Sequence, residues 1–211
     1  MSGVDKVWAD LGGHPVLWWS LARLSSEVDR TVLVVQAERL DEARSFVGAD
    51  FPEVQVVVGG AVRQASVSCG LAALPSVRSV AVHDAARPFA TAGLLREGFS
   101  LLHRADGAVP VEPVKDTIKR VDDEGMIRET VSRETLRACQ TPQIFRADAL
   151  RRAHRAAETS GVLATDDAAL LESDGGTIGT FAGHWTNYKI TTPDDLWLAR
   201  LLLEHGRVGA G

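Results

Sequence analysis

The sequence predicts an α/β fold: a single domain with a mostly parallel, helix-covered sheet from which a β-arm projects. Three observations predict it. Runs of β-branched residues alternate with helical patterns through the first half of the 211 residues, the rhythm of a parallel sheet with crossover helices. The composition, 45% hydrophobic and 24% charged, belongs to a globular chain able to bury one sizeable core. Past Pro113 the alternation breaks, and Asp122-Asp123-Glu124-Gly125 marks a turn between β-prone flanks.

The elements follow in order. Thr31 to Gln36, Val54 to Val58, Ser79 to Val82 and Gly107 to Val111 read as strands. Helices fill the gaps: Pro15 to Leu24, with Pro15 suited to a first helical position, then Glu38 to Phe46, Gln64 to Leu74 and Thr91 to His103. The arm spans about residues 113–139. A lone hairpin is marginal in water, so a second subunit is its natural partner. Helices are expected again from Ala147 to Thr159 and Asp166 to Ser173, strands near Thr177 to Phe181 and Tyr188 to Ile190, and a last helix from Pro193 to Glu204. There Thr192 suits the N-cap, Pro193 position N1 and Asp195 the capping box.

Composition also bounds the function. A net charge of -5 without a Lys/Arg run argues against nucleic acid or an anionic membrane as the main partner. Cys69 and Cys139 form no CxxC pair and read as semi-buried structural thiols. With no signal-peptide pattern or long apolar span, the expected location is the cytoplasm. The histidines lack metal-ligand spacing, and no GxSxG surrounds Ser66 or Ser68. The tryptophans Trp18, Trp19, Trp185 and Trp197 read as core and rim packing.

Candidate chemistry lies at strand ends. Val82-His83-Asp84-Ala85-Ala86-Arg87-Pro88 puts an acid and an arginine just beyond a buried strand, where α/β folds bind ligands. Asp84 suits a divalent cation and Arg87 a phosphate; the alternative is a pair that stitches the loop. Gly59-Gly60, followed by Arg63, Gln64 and Ser66, offers backbone N–H groups to an anion or forms an ordinary turn and cap. Lys115-Asp116-Thr117, with Lys119 and Arg120, offers cations and a hydroxyl to a phosphate or makes a solvated arm edge. Thr165 or Asp166 suits an N-cap that still faces a ligand. Lys189, between Tyr188 and Ile190, is placed to meet an anion or a carboxylate such as Asp84.

Taken together, these segments closely resemble the bacterial 2-C-methyl-D-erythritol 4-phosphate cytidylyltransferases. The resemblance runs through LGGHPVL (Leu11 to Leu17), GGAVRQASVSCGL (Gly59 to Leu71), VHDAARPF (Val82 to Phe89), PVKDTIKRV (Pro113 to Val121), QTPQIF (Gln140 to Phe145), TDDAALLE (Thr165 to Glu172) and KITTPDDL (Lys189 to Leu196). It implies a Rossmann-like, glycosyltransferase-A-like nucleotidyltransferase, dimeric through its arm. The implied reaction joins CTP and methylerythritol phosphate, with Mg²⁺, into a CDP-alcohol and pyrophosphate.

The resemblance also assigns roles. Asp84 would hold the metal, Lys189 would lie beside the triphosphate, Gly60 and Ser66 would hold the cytidine, and Arg87 would order the nucleotide-side loop. Thr117 and Thr165 would contact methylerythritol phosphate, with Arg133 reaching its phosphate across the dimer. Lys6, in Asp5-Lys6-Val7, stands where the family has a PKQ segment and would neutralise charge at the α-phosphate. Relatives open with an apolar strand and an AAGxGxR loop, whereas this chain opens Met1-Ser2-Gly3; an N-terminally incomplete domain is therefore expected. Two other readings stay open: a ribitol-5-phosphate cytidylyltransferase, and a non-catalytic dimeric remnant.

Overall fold

A computed structural model describes residues 6–208. A short antiparallel pair, β1 (Asp10–Leu11) and β2 (His14–Pro15), leads into α1 (Val16–Leu24). Pro15 has the extended backbone of an N-cap, so the helix begins one residue later than expected. β3 (Thr31–Val35), α2 (Leu40–Asp50), β4 (Val54–Val58), α3 (Arg63–Ala73) and β5 (Ser79–Val82) follow, and β3 and β4 pair in parallel. After them come α4 (Ala92–Leu101), β6 (Gly107–Pro113), β7 (Ile118–Val121), β8 (Ile127–Val131), β9 (Arg137–Cys139) and β10 (Gln143–Arg146). The chain ends with α5 (Ala147–Ser160), α6 (Asp167–Ser173), β11 (Ile178–Ala182) and α7 (Pro193–Glu204).

The main sheet runs β11-β6-β10-β5, with β9 added to β6. β11 is parallel to β6, whereas β10 is antiparallel to both β6 and β5. β5, β6 and β11 therefore share one direction, and β10 is a reversed insert that makes the sheet mixed. Pleating sorts its side chains between two layers. Ala108 and Ile144 face the core under α4, with Leu94 and Phe181, while their neighbours Val109 and Phe145 face α5 and α6, with Leu150 and Leu171.

The arm is the antiparallel pair β7–β8, turned at Gly125, whose φ of 80° suits glycine. Three expectations are corrected. Tyr188 to Ile190 is not a strand: the segment follows the loop beyond β5, with the Ile190 N–H donating to the Ala86 carbonyl, rather than pairing along an edge. Cys139 is exposed, because β9 lies on the sheet's rim, while Cys69 is half-buried. Trp185 and Trp197 lie on the surface, unlike Trp19, which is buried and donates from Nε1 to the Leu11 carbonyl. The expectation about the start of the chain falls on Met1-Ser2-Gly3, outside the described residues.

No hydrogen-bonded ladder joins β3 to β5 among the described residues. Between them opens a cavity of about 930 Å³, walled by α1, α3 and both strands. Asp84, Arg63, Ser66 and Lys189 are among its lining residues.

Candidate active site

The site grows from the carboxyl end of β5. The chain turns at once, the Arg87 N–H donating to the Asp84 carbonyl at 2.9 Å. This turn brings the two side chains together: Arg87 Nε lies 3.3 Å from Asp84 Oδ2 and its Nη1 donates to the Asn187 carbonyl at 2.8 Å. Arg87 thus ties its loop to the segment carrying Lys189, whose Nζ lies 3.2 Å from Asp84 Oδ2. Arg63, at the start of α3, places Nε 3.7 Å from Asp84 Oδ1. Burial alone would raise the Asp84 pKa, but Lys189, Arg63 and Arg87 outweigh it and hold the carboxyl below its usual range.

The support is polar and buried. Thr141 Oγ1 accepts the Asp84 N–H at 2.9 Å and lies 3.0 Å from His83 Nδ1. The His83 ring is enclosed although the residue keeps some surface, and burial pushes its pKa down to about 4. A neutral ring fits the network: Thr141 donates to Nδ1, and the Nε2–H donates to the Arg87 carbonyl at 3.1 Å. Asn187, with no exposed surface, donates from Nδ2 to Gln140 Oε1 and the Thr141 carbonyl.

Ser66 sits in the first turn of α3, its hydroxyl within 3.2 Å of the Gly60 carbonyl and 3.1 Å of the Val62 carbonyl. A Cβ on Gly60 would lie 2.4 Å from that of Ala65, so the backbone folds onto the helix only because the residue is glycine. Lys6 is the first described residue; its carbonyl accepts from Ala9, and its neighbour Val7 lines the cavity. Thr165 is exposed, and Asp166 rather than Thr165 caps α6 through the Ala169 N–H. Thr117 is exposed before β7. Arg133, also exposed, donates to the Lys115 carbonyl, which gathers these arm residues together rather than into the Asp84 cluster. Lys119 and Arg120 pair across the arm with Thr130 and Glu129.

Sequence reasoning missed the roles of Arg63, Thr141 and Asn187. Arg63 stands three residues beyond Gly60 in a stretch already singled out, and a helix start beside a strand-end acid was the available signal. Thr141 and Asn187 reach the site only through folding.

An acid ringed by three cations at a strand's carboxyl end, in a helix-covered sheet, suits a phosphorylated ligand, and the relatives of the chain make it an enzyme of the nucleotidyltransferase type. The family model described as 2-C-methyl-D-erythritol 4-phosphate cytidylyltransferase (IspD) matches residues 1–205, and the chain belongs to that family. The enzyme of that name from Dehalococcoides mccartyi is 41% identical over 211 residues, covering 98% of this chain and 92% of the relative. The crystal structure of the one from Thermus thermophilus matches with TM-score 0.81 and 36% identity, covering 94% of this chain and 93% of that one. The 4-diphosphocytidyl-2C-methyl-D-erythritol synthase structure from Anaerococcus prevotii matches with TM-score 0.87 and 28% identity over the same shares.

Proposed function

We propose that this chain transfers the cytidylyl group of CTP to 2-C-methyl-D-erythritol 4-phosphate at the Asp84 cluster, releasing pyrophosphate. The observation that carries the reading is the convergence of Lys189, Arg87 and Arg63 on Asp84. In the reaction an acceptor phosphate oxygen bonds to the α-phosphorus, and the bond from that phosphorus to the oxygen bridging to the β-phosphate breaks. The protein's task is alignment and charge neutralisation, and no covalent nucleophile is needed.

Lys189 and Lys6 would neutralise charge at the α-phosphate, and Arg87 would keep the 84–87 loop in place. Gly60 and Ser66 would hold the cytidine. Thr165, with Thr117 and a partner subunit's copy of Arg133, would hold the acceptor. Among the described residues no three His, Cys, Asp or Glu side chains converge on a metal position. A divalent cation at Asp84 would therefore have fewer than three such protein ligands and draw most of its shell from phosphates and water, a donor set that suits Mg²⁺. Such an ion would shield the developing charge on the pyrophosphate.

A homodimer through the arm is supported by Val121, Met126 and Ile127, large apolar side chains exposed around its tip. No helix of the described residues is long and apolar enough to cross a membrane. The free thiols of Cys69 and Cys139 suit a reducing cytoplasm.

The test is pyrophosphate release from CTP and Mg²⁺ with methylerythritol phosphate or ribitol 5-phosphate as acceptor. Release that depends on methylerythritol phosphate is expected. A preference for ribitol 5-phosphate, or no release with either, contradicts the reading.

A further inference from the structure

Behind Arg63 lies a chain of buried polar groups. Arg63 Nη1 is 2.8 Å from Oδ2 of Asp167, the first residue of α6, which has no exposed side-chain surface. The other oxygen of Asp167 is 3.0 Å from Nε2 of His154 on α5, itself 5% exposed. Nδ1 of His154 is 3.0 Å from the Ser68 hydroxyl, back on α3. The chain therefore leaves α3 at Arg63 and returns to it at Ser68.

A fully buried carboxylate costs several kcal/mol unless it is paired, and apolar residues would pack these helices at no such cost. The hydrogen-bond roles are consistent throughout. Ser68 donates to Nδ1, the Nε2–H donates to Asp167 Oδ1, and Oδ2 is left to face Arg63. Of the two carboxylates Arg63 reaches, Asp167 is the nearer, at 2.8 Å against 3.7 Å for Asp84. At its other end Arg63 reaches Asp84 and lines the cavity, with its side chain 37% exposed. An arginine with that much surface would otherwise sample many rotamers.

We propose that Ser68, His154 and Asp167 are positioning residues that tether Arg63 at the mouth of the site, where its guanidinium turns from Asp84 to the polyphosphate of an incoming nucleotide. The proposal rests on the nucleotidyl-transfer reading for its ligand. The tether does two things. It draws Arg63 partly away from Asp84, so that these two do not close into a fixed ion pair. It also lets the guanidinium exchange one anion for another without losing its place.

The experiment compares the full chain with Asp167→Asn, His154→Phe, His154→Gln, Arg63→Met and the double variant Arg63→Met/Asp167→Asn, with folding checked by thermal melts. Without ligand, the Arg63 Nε–H signal in ¹⁵N-arginine NMR should report an ordered side chain in the natural protein and in His154→Gln, which keeps a donor for Asp167. It should report a mobile one in Asp167→Asn and His154→Phe. In turnover, Asp167→Asn should raise the KM for CTP about tenfold with kcat changed far less, yet add under about twofold once Arg63 is Met, because groups acting through one partner are not additive. An unchanged Arg63 signal in Asp167→Asn, or an equal KM penalty with and without Arg63, overturns the proposal. The NMR comparison decides the tether even if the natural chain binds no CTP, an outcome that instead removes the nucleotidyl-transfer reading.

Discussion

Lys189 Nζ lies 3.2 Å from Asp84 Oδ2, joining the segment before the last helix to the carboxyl end of β5. The Arg87–Asn187 and Ile190–Ala86 hydrogen bonds hold the two segments in register, so the pair does not depend on one flexible lysine finding its partner. A cation placed in advance needs no reorganisation when a phosphate arrives. Lys189→Met should lower kcat about 10²-fold, the scale of removing one such electrostatic group, with the melting transition little altered because the side chain is 43% exposed. Steady-state kinetics with a parallel thermal melt checks this, and unchanged kcat would remove Lys189 from the mechanism.

Asn187 tests the scaffold rather than the chemistry. Its amide donates to two acceptors in a fully buried position, and its own Oδ1 has no hydrogen-bond partner among the described residues. Asn187→Ala should cost about 1–3 kcal/mol, the range for a buried group left unsatisfied. Asn187→Asp should cost more, because it turns a donor into a charged acceptor facing the Thr141 carbonyl. Urea unfolding of both variants gives the comparison, and an Asp variant as stable as the Ala variant would contradict these hydrogen-bond roles.

Tyr188 gives a pH prediction with its own optical signal, since the chain has a single tyrosine. Burial, and then the nearby Asp195 charge, push its phenol up to about 12, and its hydroxyl donates to the Asp195 carbonyl. The neutral form is favoured on folding, so this contribution is fully present below the unfolded pKa of about 10 and is lost as pH rises from there through about 12. Tyrosinate absorbance of the folded chain should therefore appear well above the pH at which the urea-unfolded chain ionises. Coincident titrations would show that the phenol is not enclosed.

Much of this architecture was legible before folding, where local signals agreed. The strands ending at Val35, Val58 and Val82 are β-branched runs, and α7 begins with the capping box of Thr192 and Asp195 around Pro193. β10 was not legible: its four residues follow Pro142 and run directly into a helix, and only its neighbours β5 and β6 make it a strand. The same division holds at the site. Asp84, Arg87 and Lys189 stand at strand or segment ends, where charge is unusual enough to notice. Arg63, Asp167 and His154 meet across three helices, and no spacing in the chain announces a contact made by packing.

In the proposed reaction Asp84 organises cytidylyl transfer. The most direct measurement is pyrophosphate release from CTP, Mg²⁺ and methylerythritol phosphate by the natural chain and by Asp84→Asn. Asn keeps the shape of the side chain but not the charge that Lys189, Arg87 and Arg63 surround. The natural chain should release pyrophosphate only with the acceptor present, and kcat should fall by about 10²–10³ in the variant. Equal release by both would contradict that role for Asp84.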